Sequence, residues 1–407
     1  MLTEAQVHFA LAVAKETKSI NSDSIFFTLQ IYQYLMRWNQ NIFSFYTIRV
    51  FIYFGCFLCI KDVNAQRDFR IVGYYAGNSV AIDSLEVGKL THLIYCFGKL
   101  DGNRFALRNA RDSTAVKAMV LLKSKYPKLK VMLSLGGWGG CETCSDVFSN
   151  DDARSAFAQS VNQITHYFNT DGLDLDWEYP VVSGYPSHTH TIGDKEAFTK
   201  LLALIRNTCG IDFELSFAAG GFTSYIDSSI EWKEVIKYID FINIMSYDLV
   251  HGFSKVSGHH TPLYSTGSQS ESTDHAVNLL LQKGVPAEKL VIGSAFYGRV
   301  FKVDEQYKVG LYQPCIFQNT FQYKNAVQEL SALNGFERFY DDTAQAPYAL
   351  NKTKHLIATF DDEKSVVNKT RYAMKRQLGG IMFWQLCDDK ITGGLLNLIY
   401  QTSKSDQ

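Results

Sequence analysis

Four carboxylates fall within eight residues in the run Asp171-Gly-Leu-Asp174-Leu-Asp176-Trp-Glu178-Tyr-Pro180. Strand side chains alternate between faces. As a strand, this run sends Asp174, Asp176 and Glu178 to one side and Leu173, Leu175 and Trp177 to the other. Carboxylates crowded on a buried face cannot all ionise, because desolvation and mutual repulsion raise their proton affinity. Groups perturbed in this way do acid–base chemistry. A Mg²⁺ or Ca²⁺ site is a competing use of the same oxygens, and a solvated acidic face is another. The apolar partner face argues against solvation, and no metal or cofactor is expected.

Other reactive patterns are weaker. Ser187-His-Thr-His190 holds two histidines without further ligands at zinc spacing, so a loop is expected there, rimming whatever cleft Glu178 serves. The chain has no GxSxG elbow, which disfavours a serine hydrolase. It also lacks GxGxxG and GxxxxGK[ST], so no phosphate-binding loop is predicted.

The elements that position these acids follow from periodicity. Short apolar, β-branched runs recur at 70–75, 92–98, 129–135, 172–178, 213–219, 240–247, 290–296 and 379–384, with helical patterns between them. Eight such units predict parallel βαβ repeats closing into an α/β TIM (β/α)8 barrel, whose strand C-termini carry catalytic groups. A doubly wound open sheet is the competitor, and it usually carries a Gly-rich loop after its first strand. The interval before the last run is too long for one helix. Residues 302–358 within it are expected to form a small α+β insertion between strands seven and eight.

The chain has 407 residues, 46% hydrophobic and 20% charged, with net charge −1. This composition excludes disordered, collagen-like and coiled-coil classes. It supplies no basic field for nucleic acid. Its 28 Phe and 23 Tyr suit a large core or an aromatic-lined carbohydrate cleft. After Arg49, the uncharged run from Val50 to Ile60 is 11 residues long. That is short of the about 20 needed to span a membrane but fits a secretory h-region. Val63-Asn-Ala65 matches a small-x-small cleavage pattern, leaving Gln66 first. The h-region lies far from Met1 and at the usual distance from Met36. Residues 1–35 are therefore expected to be a non-native or unprocessed leader, 36–65 a signal peptide, and 66–407 the mature secreted unit. No membrane association of the mature form is expected, and a monomer is the default. Cys141-Glu-Thr-Cys144 reads as a loop-closing disulfide, with a half zinc site or redox pair as alternatives. Cys96 and Cys387 fall in apolar runs and read as buried thiols. The sequons at Asn351 and Asn368 would be surface positions in a secreted chain.

The acidic run resembles the DGxDxDWEYP signature of family 18 glycoside hydrolases, the chitinases. Further marks follow in order: Ser134-Leu-Gly136-Gly137-Trp138, Met245-Ser-Tyr247-Asp248, Gly258-His-His-Thr-Pro-Leu-Tyr264, Tyr297-Gly-Arg299 and Phe383-Trp384, with Tyr74 and Phe97 at aromatic positions on strands one and two. The likeness covers about residues 68–400, and it resembles a bacterial-type branch also found in some arthropods. It implies hydrolysis of β-1,4 linkages in chitin or chito-oligosaccharides, with retention through an oxazolinium ion formed by the substrate's own acetamide rather than by a second carboxylate. Glu178 would be the general acid, Asp176 would hold the acetamide N–H, and Asp174 would share a proton with Asp176. Tyr247 would bind the acetamide oxygen and Trp384 would floor the distorted sugar. Asp248 and Arg299 would hold hydroxyls, Trp138 would stack on a more distant sugar, and Tyr74, Phe97 and Met245 would line the cleft. Asp171, Gly136 and Gly137 would be structural. A non-catalytic chitinase-like lectin or growth factor, and an endo-N-acetylglucosaminidase acting on N-glycans, are the rival readings.

Overall fold

The computed structural model describes residues 69–77 and 82–405. The expected leader, signal and cleavage site, with Cys56 and Cys59, lie outside the described residues. No helix among the described residues is long and apolar enough to cross a membrane.

The strands are β1 (Arg70–Tyr75), β2 (His92–Asp101), β3 (Arg104–Ala106), β4 (Lys130–Gly136), β5 (Gly172–Asp176), β6 (Glu214–Gly220), β7 (Phe241–Met245) and β8 (Leu290–Ala295). They continue with β9 (Tyr297–Val303), β10 (Cys315–Gln322), β11 (Glu337–Asp341), β12 (Ala346–Asn351), β13 (Leu356–Phe360) and β14 (Gly380–Trp384). Eight of them pair in parallel in the order β1-β14-β8-β7-β6-β5-β4-β2, and β1 pairs with β2 to close a TIM barrel, as the strand–helix alternation predicts. β3 folds back antiparallel on the end of β2.

The outer helices are α1 (Ala110–Leu121), α2 (Cys144–Ser149), α3 (Asp151–Phe168), α4 (Asp194–Cys209), α5 (Thr223–Ser228), α6 (Trp232–Val235), α7 (Thr273–Gln282), α8 (Ala326–Glu329), α9 (Glu363–Lys375) and α10 (Leu395–Ser405). The α3 N-terminus is capped by Asn150, whose side chain accepts from Ala153 N at 2.9 Å. A capping box between Asp362 and Ser365 starts α9.

Two cores follow from strand alternation. Leu173, Leu175 and Trp177 of β5 and its end face outward into the core shared with Phe157, Val161, Phe198 and Leu202 of α3 and α4. Trp177 meets Phe148 and Phe198 at ring centroids of 5.6 and 6.2 Å. Each large apolar side chain buried this way contributes about 1.5–3 kcal/mol. Inside the barrel, Val72, Tyr74, Ile94, Met132, Ala218, Phe241 and Met382 form a second core beneath the strand C-termini.

The inserted sheet is antiparallel in the order β10-β9-β13-β12-β11, around Phe301, Val303, Leu350 and Ile357. It reaches past both ends of the 302–358 segment. Only Phe296 separates β9 from β8, so in sequence its apolar pattern merges with the barrel strand.

The sequons depart from the surface positions expected of them. Asn351 is 1% exposed. Its amide donates to Asn334 O at 2.8 Å and accepts from Lys354 N at 2.9 Å, so it builds a turn. Asn368 is half-buried on α9 and donates to Gln345 at 2.6 Å, while Thr370 is fully buried.

Candidate active site

The acid row stands on β5, at the centre of a polar layer. Asp174 lies in register with Ser134 on β4 and Ser216 on β6. Four neutral donors close on its carboxylate: Tyr74 Oη at 3.0 Å, Ser134 Oγ at 3.0 Å, Ser216 Oγ at 2.6 Å and Asn243 Nδ2 at 3.2 Å. Burial raises the Asp174 carboxyl, and these bonds only partly offset it.

One pleat higher, Asp176 lies in register with Gly136. It is 4% exposed, and its Oδ1 has no hydrogen-bond partner among the described residues. Burial, then Glu178 and Asp174, push its carboxyl well above the ordinary range. Burial likewise lifts Glu178 to about 7; a hydrogen bond from Tyr179 opposes this and the Asp248 charge adds to it. The three acids therefore share a small number of protons and titrate as a group. Gly136 and Gly137 permit the close approach of β4. Both have positive φ, and a Cβ would lie 2.1 Å from Asp176 O at Gly136 and 2.3 Å from the Phe97 ring at Gly137.

Aromatic side chains from neighbouring strand ends enclose the row. Trp384, ending β14, stacks on Phe97 at 5.5 Å and 13° and leans on Tyr74 at 6.0 Å. Tyr74 is 2% exposed with its hydroxyl committed to Asp174, so it supports the floor from beneath. Met245 is 8% exposed and belongs to the inner core. Tyr247 packs against that core, and its hydroxyl approaches Met382 Sδ at 3.8 Å. Burial, then Asp176 and Glu178, keep the Tyr247 hydroxyl protonated.

Asp248 and Arg299 bind each other. Arg299 Nε and Nη2 donate to the two Asp248 oxygens at 2.5 and 2.6 Å, a bidentate pair. His260 Nδ1 is 3.4 Å from Asp248 Oδ1. Burial alone would raise the Asp248 carboxyl, but His260 and Arg299 hold it well below the usual range. The Arg299 guanidinium also lies over Phe317 and Tyr297 at 5.6 and 5.7 Å.

Trp138 stands apart from this buried group, 50% exposed, with Tyr185 at 5.5 Å and Phe253 at 6.4 Å. His188 lies against Tyr185 at 4.9 Å, which puts the two-histidine loop on the rim. Asp171 sits at the opposite end of β5, accepting from Val131 N at 2.8 Å and from Lys123 at 2.9 Å. Cys141 and Cys144 have Cα atoms 5.2 Å apart with their sulphurs in contact. Cys96 and Cys387 are buried. Among the described residues, no group of three His, Cys, Asp or Glu side chains is arranged to hold a metal ion.

Several contributors escaped the sequence reading. Ser216 and Asn243 carried a usable signal, a polar residue at inward parity on an otherwise apolar barrel strand. Tyr185 and Phe253 lie in loops, where no period marks the side that faces the cleft, and His260 stands in the stretch 258–264, whose resemblance implies no role for it.

Residues 70–389 match the family described as Glycosyl hydrolases family 18. The chain is 33% identical over 401 residues to chitinase A1 of Niallia circulans, covering 80% of this chain and 57% of that protein. It is 30% identical to the probable chitinase 2 of Drosophila melanogaster, covering 75% of this chain and 69% of that one. A solved structure of a family 18 N-acetylglucosaminidase from Paenibacillus barengoltzii superposes with a TM-score of 0.74 at 34% identity, covering 82% of this chain and all of that one.

Proposed function

This chain belongs to family 18 of the glycosyl hydrolases, and on that premise we propose that it hydrolyses the β-1,4 N-acetylglucosamine linkages of chitin or chito-oligosaccharides with retention. The carrying observation is the unpartnered Oδ1 of Asp176, buried beside a Glu178 that still holds its proton near neutrality. An acetamide group supplies what that oxygen lacks, an N–H donor. Asp176 orients the acetamide so that its carbonyl oxygen reaches the anomeric carbon as the C1–O bond breaks. Glu178 gives its proton to the leaving oxygen and then takes one from water when the oxazolinium ion opens. Tyr247 donates to the acetamide oxygen. Trp384, held by Phe97 and Tyr74, floors the reacting sugar.

Asp174 can host the proton displaced from Asp176, because four donors stabilise its charge. The Asp248–Arg299 pair holds sugar hydroxyls at the cleft wall, and Trp138 with Tyr185 and Phe253 stacks on a further sugar. The relatives named chitinases support the substrate class. Release of single N-acetylglucosamine units is a second reading, supported by the likeness to the Paenibacillus N-acetylglucosaminidase over 82% of this chain. Secretion after cleavage at Ala65, a monomeric mature form and a Cys141–Cys144 disulfide complete the proposal. An N-terminus upstream of Gln66 in the secreted protein would sink the cleavage part.

The deciding experiment is Glu178→Gln, assayed on soluble chito-oligosaccharides. Turnover is expected to fall by about 10²–10⁴-fold with oligosaccharide binding kept. Unchanged turnover rejects the mechanism, and an inactive wild type that still binds promotes the lectin reading.

A further inference from the structure

A second buried charge pair lies outside the acid row, and the chemistry above does not use it. Lys369 of α9 and Asp361, just past β13, are 0% and 1% exposed. Lys369 Nζ donates to Asp361 Oδ2 at 2.7 Å and to Thr261 Oγ1 at 2.5 Å. Asp361 Oδ2 also accepts from Ala295 N at 2.9 Å, and its Oδ1 accepts from Ser365 at 2.6 Å. Removing two such ions from water costs several kcal/mol each before their attraction offsets it. A pair of this kind is a weak source of stability and a strong fixer of position.

The pair fixes the turn that follows β7. Thr261 Oγ1, which accepts from Lys369, stands between two acceptors, Asp361 Oδ2 at 3.2 Å and the Ser246 carbonyl at 3.3 Å, so its single hydroxyl proton is shared between the buried pair and the turn. That carbonyl belongs to the peptide bond leading into Tyr247. The neighbouring residue grips the other side of the turn: His260 O accepts from Leu249 N at 3.0 Å. Ser246 Oγ is in turn locked against Gly293 on β8, donating to its carbonyl and accepting from its amide, both at 3.1 Å. Tyr247 and Asp248 thus stand on a short turn clamped by residues 260–261, which are tied to the end of the inserted sheet and to α9.

We propose that Lys369, Asp361 and Thr261 form a positioning relay that sets the Tyr247–Asp248 turn in its reactive geometry. The three are positioning residues, and the proposal rests on the hydrolytic reading above. Small misplacements of a catalytic group cost up to about 10²-fold in rate.

Thr261→Val tests this with little change of shape, and Thr261→Ser restores the hydroxyl. In Thr261→Val, kcat on a chito-oligosaccharide is expected to fall about 10-fold with KM within about threefold; Thr261→Ser should stay within about twofold of wild type. In a Tyr247→Phe background, Thr261→Val should cost under about twofold, because its target is already gone. Full activity of Thr261→Val overturns the relay, and so does an equal penalty in both backgrounds. A wild type that does not turn over chito-oligosaccharides overturns the hydrolytic reading instead. Crystal structures then decide the relay: a displaced Ser246–Asp248 turn in Thr261→Val supports it, and an unmoved turn rejects it.

Discussion

Two groups of wholly or partly buried acids a few strands apart are treated in opposite ways. Asp174, Asp176 and Glu178 stand in a row with neutral donors on Asp174 and, among the described residues, no cation within ion-pair distance. Asp248 and Asp361 are each met by a cation, Arg299 at 2.5 Å and Lys369 at 2.7 Å. Burial acts on both groups, and the counter-charge decides the outcome. Without one, the carboxyl keeps its proton, as Glu178 does up to about 7. With one, the charge is fixed, as at Asp248. The first arrangement moves protons and the second holds geometry.

Lys369→Met breaks the contrast most severely, because it turns a compensated acid into an uncompensated one. Asp361 would be left buried among Thr261, Ser365 and Ala295 N. Loss of one partner from a buried pair costs about 3–5 kcal/mol, and denaturant unfolding should show a loss of that size. A loss below about 1 kcal/mol would mean that the pair is solvated and the contrast is false.

Asp176→Asn attacks the other side. It removes the ionisable group while keeping size, and the free Oδ1 is lost as a tunable acceptor. The expected fall in kcat is about 10²–10³-fold, with melting temperature maintained or raised, since a desolvated acid has gone. A variant that is both active and destabilised would place Asp176 among the structural acids.

The pH dependence of stability sharpens the same point. Glu178 holds its proton up to about 7 in the fold, against an ordinary value of 4.5. Its contribution is full below about 4.5 and is lost as pH rises through about 7. Asp176, raised by burial and by Glu178, works in the same direction. Melting temperature should therefore fall between pH 5 and pH 8, with up to about 1.4 kcal/mol per pH unit for each proton of difference. Glu178→Gln should flatten that slope, and a rise of stability across this interval would contradict the uncompensated row.

How much of this was legible depends on where period applies. Alternation alone separates Asp174, Asp176 and Glu178 from Leu173, Leu175 and Trp177, because a buried parallel strand fixes both faces. The eight barrel strands emerge for the same reason, with edges shifted by a residue or a few. The uncompensated character of the row was also readable, since the run contains no Lys or Arg. The compensated pairs were hidden. Arg299 meets Asp248 across 51 residues, a separation that only the closed barrel brings together; Lys369 lies eight residues from Asp361, but the pair spans a strand end and a helix, where no period marks the two as partners. The start of the inserted sheet at Tyr297 was masked because its apolar residues continue those of β8. Rim aromatics such as Phe253 have no period to mark them.

The smallest effect is the most discriminating, because it tests whether the two groups speak to each other. Asp248 raises the proton affinity of Glu178 through its charge, after burial and against the Tyr179 hydrogen bond. Asp248→Asn removes that charge and leaves the Arg299 guanidinium, held at 5.7 Å over Tyr297, without its carboxylate. Both changes favour the ionised form of Glu178. The alkaline limb of the kcat/KM profile should move to lower pH, while kcat on its acidic plateau falls by less than about 10-fold. A limb that stays in place would mean that the fixed negative charge is screened from the acid row. A limb that moves to higher pH would contradict the coupling outright, because removing a nearby negative charge cannot raise the proton affinity of Glu178.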